Sequence, residues 1–144
     1  MLITTYFING FLVAAAVIVH YEVIYRLAIY IPDLKIRNRF RVVVGIFGAL
    51  IAHVIEIWLF AAGYYLMSNF EDYGTLQGNF GHTLIDCVYF SFVTYTSLGL
   101  GDITPTGEIR FLAGLEALTG LVLITWTASF LFIEMQKFWK PGIK

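Results

Sequence analysis

The stretch TLIDCVYFSFVTYTSLGLGDITP, from Thr83 to Pro105, decides how this chain folds. It opens with Thr83-Leu84-Ile85-Asp86, which fits the Ser/Thr-x-x-Asp/Glu capping box that starts a helix. An apolar and aromatic run follows, from Cys87 to Val93. A helix from Leu84 to about Tyr95, or 83–96 with its flanking threonines, covers only ~18 Å at 1.5 Å per residue. That is too short to cross a hydrocarbon core of ~30 Å. The segment should enter a membrane and turn back, as a re-entrant helix.

Moving outward, the rest of the chain supplies the membrane context. Of 144 residues, 59% are hydrophobic and 13% charged, and mean hydropathy is +0.78. A soluble domain carries roughly 25% charged residues, so most of this surface is not made for water. Three segments are long and apolar enough to span: Leu2–Ile31, Val42–Met67 and Ile109–Trp139. No Lys or Arg precedes Arg26, so the first apolar stretch lacks the basic start of a secretory signal and reads as a retained helix. The fold class is therefore an all-α membrane protein, with three transmembrane helices plus a re-entrant helix and loop. Residues 1–41 form an extra N-terminal helix with a basic loop. Residues 42–144 hold an outer helix at 42–67, the short helix at 83–96, the loop at 97–101 and an inner helix at 109–139.

Charge sets the orientation. After Pro32, which should break the first helix, come Lys35, Arg37, Arg39 and Arg41, and the C-terminal tail carries Lys137, Lys140 and Lys144. Arg26 lies on the same side, and only Arg110 lies elsewhere. The positive-inside rule puts both basic clusters in the cytoplasm. The N-terminus and the segment from Ser68 to Glu108 then face outward, in a multi-pass protein of a plasma (inner) membrane. Trp139 and Phe138 beside Lys137 and Lys140 suit an inner-interface anchor, and Tyr64 and Tyr65 an outer aromatic belt. A net charge of −1 gives no sign of nucleic-acid binding. Cys87 is the single cysteine, which excludes an intrachain disulfide; it reads as a small buried apolar residue.

Thr94-Tyr95-Thr96-Ser97-Leu98-Gly99-Leu100-Gly101-Asp102, with Pro105 beyond, resembles the potassium-channel signature T-x-T-T-V-G-Y-G-D. The resemblance runs from about Gly81 to Lys144. It includes Glu116-Ala117 followed by Gly120 in the last span, and the Leu between the glycines is similar to the second pore repeat of some two-pore-domain potassium channels. It implies a homotetramer in a lipid bilayer, since one loop supplies only a quarter of a ring around a shared axis. It implies no catalytic residues and no cofactor, with K+ as the permeant ion among monovalent cations. Thr96, Ser97, Leu98, Gly99, Leu100 and Gly101 would bind the ion, with K+ held at Ser97, Leu98, Gly99 and Leu100. Thr94 and Asp102 would support the filter, and Glu116 and Gly120 would be gating candidates on the inner helix.

The residue types suit that chemistry. Backbone carbonyls can replace the hydration shell of a potassium ion. Gly99 and Gly101 allow the alternating left-handed geometry that aims successive carbonyls inward. The short helix would point its negative end at the dehydrated ion. Ser97, Leu98 and Leu100 depart from the usual Thr, Val and aromatic residue, which leaves a nonselective cation channel as the alternative. Glu71, Asp72, Asp102 and Glu108 against Arg110 would draw cations to the mouth, though Glu71 and Asp72 read better as an ordinary solvated loop. Gly114 and Gly120 favour close helix packing, and Leu121, Ile124, Thr125 and Ala128 form a stripe suited to an inner cavity.

Buried charges complete the picture. His53 and Glu56 share a helix face, and His20 and Glu22 lie in the inner half of the first span. Mutual pairing, or neutral Glu and His buried in the bundle, is the expected state, with pH sensing the lesser option. A metal-dependent enzyme or transporter built on His20, Glu22, His53, Glu56 and Glu116 is disfavoured, because the sequence spacing is poor for a metal site. A non-conducting modulatory subunit is the remaining alternative. No span carries a regular Arg series, so steep voltage gating is not expected.

Overall fold

The computed structural model describes residues 2–138. Three helices are long and apolar enough to cross a membrane. They are α1 (Leu2–Asp33), α2 (Asn38–Ser68) and α4 (Ile109–Phe138), and the short α3 (Leu84–Tyr95) lies between the last two. Helix α1 runs through Pro32 and ends one residue later, at Asp33. In the last turn the missing N–H removes a single hydrogen bond, so proline marks the helix end without stopping it short. Helix α2 starts at Asn38, four residues before its apolar run begins at Val42. Trp139, Lys140 and Lys144 lie outside the described residues.

Helix α1 buries a stripe made by Thr5, Asn9, Leu12, Ala16, His20 and Ile24, at helical spacing. Its opposite face, with Ile3, Phe7, Phe11 and Ile18, is exposed. Small residues on α2 let α1 approach closely. A Cβ on Gly63 would meet a Leu12 methyl at 2.6 Å, and one on Gly48 would meet Leu27 at the same distance. With lipid as apolar as the side chains, such close packing holds spans together. A core of Phe60, Tyr64, Cys87, Phe90, Tyr95 and Leu112 joins α2, α3 and α4. Tyr64 is fully buried in it, which corrects its assignment to an outer aromatic belt; Tyr65 remains 39% exposed. The burial follows from a hydrogen bond between Tyr64 and Glu116 that turns the ring inward.

Two three-residue strands, which the sequence did not announce, stitch the segment between α2 and α4 together. Strand β1 (Leu76–Gly78) pairs antiparallel with β2 (Ile103–Pro105), Gly78 facing Ile103. Asn79 N–H donates to the Asp102 carbonyl at 2.9 Å, and Thr106 N–H to the Thr75 carbonyl at 2.9 Å. Gly78 has φ +100, and a Cβ there would fall 2.2 Å from the Asp102 carbonyl oxygen. Only glycine fits where the loop after α2 crosses the segment that follows residues 97–101.

Candidate functional site

Helix α3 is positioned at both ends. At the start, Thr83 Oγ1 accepts from Asp86 N–H at 3.1 Å, and Asp86 Oδ2 accepts from Thr83 N–H at 3.2 Å, closing the capping box. At the end, the chain folds back on the last turn. Thr96 N–H donates to the Phe92 carbonyl at 3.2 Å and Ser97 N–H to Thr94 at 2.9 Å. Leu98 and Gly99 N–H groups both reach the Val93 carbonyl, at 2.9 and 3.2 Å.

Beyond that point every second residue is left-handed. Ser97, Gly99 and Gly101 have φ of +57, +57 and +80, while Leu98 and Leu100 do not. Left-handed backbone costs roughly 1–2 kcal/mol for a residue with a Cβ. No atom stands within 4 Å of a Cβ placed on Gly99 or Gly101, so conformation and not space calls for glycine there. Among the described residues, no hydrogen bond reaches the carbonyls of Thr96, Ser97, Leu98, Gly99, Leu100 or Gly101. All six residues are exposed on the single chain, with Leu98 and Leu100 at 64% and 60%. A backbone strip of this kind is not tolerated against lipid; it has to face water or other protein.

Side chains brace this loop from behind. Tyr89 hydroxyl donates to Asp102 Oδ2 at 2.9 Å, tying α3 to the residue after Gly101. Thr94 is half-buried and, with Ser97, Gly99, Gly101 and Ala117, lines a cleft of about 280 Å³ between the loop and α4. Glu116 is fully buried on α4, where its carboxyl meets Tyr64 of α2 and Ser91 of α3. The Ser91 hydroxyl also lies 2.8 Å from the Ile57 carbonyl. One carboxyl thus joins three helices beside the re-entrant segment. Gly120, one turn below, lies against the backbone of Tyr95. Leu121, Ile124, Thr125 and Ala128 are all exposed on the single chain, and Ile124 borders a cleft with Leu50, His53 and Val54 of α2.

The buried His and Glu residues separate into distinct arrangements. Glu22 turns outward and pairs with Arg26 at 2.7 Å. His20 of α1 instead sits 2.9 Å from Glu56 Oε1, and His53 Nδ1 sits 3.1 Å from Glu56 Oε2. Tyr95, the last residue of α3, places its hydroxyl against Glu56 and 2.9 Å from His53 Nδ1. His20, His53 and Glu56 offer ligand atoms within 4.8 Å of one another. The poor spacing seen in the sequence is closed by the packing of α1 on α2. Spacing along one helix finds His53 with Glu56, but nothing in the chain order pairs either with His20. Among the acids expected to draw cations, Asp72 and Asp102 are exposed and Glu108 is half-buried.

A family model described as "Ion channel" matches residues 42–137, which covers α3, the 97–101 loop and nearly all of α2 and α4. Helix α1 lies outside the match. No curated protein and no solved structure matches the chain.

Proposed function

The chain belongs to the ion channel family, and on that premise we propose that it is a subunit of a potassium-selective channel that conducts passively as a homotetramer. One observation carries this reading. The backbone alternates hand at Ser97, Gly99 and Gly101, its N–H groups at 97–99 are tied back to α3, and its carbonyls have no partner among the described residues. Alternating hand turns successive carbonyls to one side, where they can replace water around a dehydrated cation. Four such strips around an axis would bury the exposed loop and close the coordination shell. Helix α3 ends at this loop, and its C-terminal partial charge favours a cation there. Thr94 and Asp102 support the strip, and the basic clusters support a cytoplasmic C-terminus in a plasma membrane.

Flux from liposomes containing the purified protein tests the reading. Potassium should leave at least tenfold faster than sodium under matched gradients. Gly101→Ala, which forces a side chain into a left-handed site, should remove that preference while the tetramer still forms. Equal potassium and sodium flux would favour the nonselective cation channel, to which Ser97, Leu98 and Leu100 lend support as departures from the usual filter. No flux from a correctly assembled protein would favour a modulatory subunit.

A further inference from the structure

We propose that His20, His53 and Glu56 form a binding site for a first-row transition-metal dication of the Zn2+ type, joining α1 to α2 within the membrane. One ligand atom from each residue lies within 4.8 Å of the other two. The Glu56 carboxylate already touches both rings, with His20 Nδ1 2.9 Å from Oε1 and His53 Nδ1 3.1 Å from Oε2. Ligand atoms about 2.0–2.1 Å from a tetrahedral zinc stand about 3.3 Å apart.

Thr127 of α4 orients both rings. Its Oγ1 is 3.0 Å from His53 Nε2 and 3.4 Å from His20 Nε2. A hydroxyl oxygen accepts two hydrogen bonds, so each Nε2–H can donate to it. Both Nδ1 lone pairs then face the Glu56 carboxylate. Metal-binding histidines use their second N–H in this way, fixing the tautomer and the ring plane. With both Nε2–H groups on Thr127, the two Nδ1 lone pairs and Glu56 Oε1 are acceptors facing one another, while the Tyr95 hydroxyl donates to Glu56 Oε2. The Tyr95 hydroxyl, 2.9 Å from His53 Nδ1, supplies a further oxygen neighbour.

The donor set selects the class of ion. Two imidazoles with one carboxylate suit zinc and its first-row neighbours, whereas magnesium and calcium require oxygen shells. A carboxylate at this depth is costly without compensating charge, which a dication provides. His20 and Glu56 have no exposed side-chain surface, while His53 is 13% exposed. His53 borders a cleft of about 300 Å³ with Leu50, Val54, Tyr95 and Ile124, so one ligand ring lies at the edge of the buried cluster. An occupied site would share Glu56 with Tyr95, the residue before Thr96, and so join α1 to the base of the 97–101 loop.

The test is zinc binding by the full chain in nanodiscs, which does not depend on whether the protein conducts potassium. Titration with ZnCl2 should show one high-affinity Zn2+ per chain. X-ray absorption should show a nitrogen and oxygen shell at about 2.0–2.1 Å with imidazole scattering. His20→Asn and His53→Asn should each weaken binding by at least tenfold, while His20→Cys, which supplies a thiolate ligand, should retain it. His82→Ala removes the remaining histidine, which is exposed, and should change nothing. Zinc should raise the thermal midpoint of the wild type but not of His20→Asn. Absence of bound zinc, or an absorption spectrum unchanged in the His20→Asn/His53→Asn double variant, overturns the proposal. Should a variant fail to assemble, a wild-type zinc shell without imidazole scattering overturns it equally.

Discussion

A Cβ on Gly120 of α4 would lie 2.1 Å from the carbonyl oxygen of Tyr95, the final residue of α3. The inner helix therefore touches the backbone at the base of the 97–101 loop, with no side chain between them. Movement of α4 at this point has to move the loop or part from it. Backbone cannot rotate aside as a side chain would, so glycine is required here by contact.

Gly120→Ala should accordingly be costly. Overpacking in a rigid contact destabilises by about 1–3 kcal/mol. We expect a lowered thermal midpoint for the detergent-solubilised protein. An unchanged midpoint would mean that α4 and α3 part easily, leaving room for a hinge role at Gly120.

Tyr95→Phe removes one hydroxyl and leaves Glu56 and His53 short of a buried partner. An unmet buried hydrogen bond costs about 1–3 kcal/mol. The helix end that carries the 97–101 loop also loses its anchor to α2. The variant should fold with reduced stability and show weaker discrimination between potassium and sodium. Wild-type selectivity in Tyr95→Phe would show that the anchor does not reach the loop.

Glu116→Ala should be worse than Glu116→Gln. Alanine leaves the hydroxyls of Tyr64 and Ser91 facing an unfilled space at the junction of α2, α3 and α4. Glutamine keeps both hydrogen bonds and almost the same volume. The expected loss is about 2 kcal/mol or more for Ala, from unpaired polar groups and lost volume together. Equal thermal midpoints for the two variants would contradict this assignment.

The start of α3 gives a pH dependence. Hydrogen bonds from the Thr83 hydroxyl, the Thr83 N–H and the Gly81 N–H hold the Asp86 carboxyl below its usual range. A carboxyl with a depressed folded value contributes stability above its unfolded value near 3.9 and loses it as pH falls through the folded one. Wild-type stability should therefore fall below about pH 4 more steeply than that of Asp86→Asn. Parallel profiles would rule out a stabilising carboxylate at this cap.

The spans and the re-entrant helix were legible because each carries a local signal. Apolar length marks α1, α2 and α4, and Thr83 with Asp86 marks the start of α3. Gly99 and Gly101 marked the left-handed positions, but Ser97, with φ +57, shows that the alternation extends to a residue whose type does not announce it. Strands β1 and β2 were not legible, since three residues are too few to show a period of two. Nor was the meeting of His20 with Glu56, which are 36 residues apart and come together only because α1 packs on α2. Tyr64 looked like a belt residue because position near a membrane interface is readable in sequence, whereas a partner such as Glu116 on another helix is not.

Single-particle imaging of the protein in lipid nanodiscs with potassium is the most direct test of the central claim. We predict four copies around one axis, with the carbonyls of Ser97 to Gly101 facing it and density for ions between them. A monomer or dimer, or an assembly whose 97–101 loops lie away from any shared axis, would contradict the account.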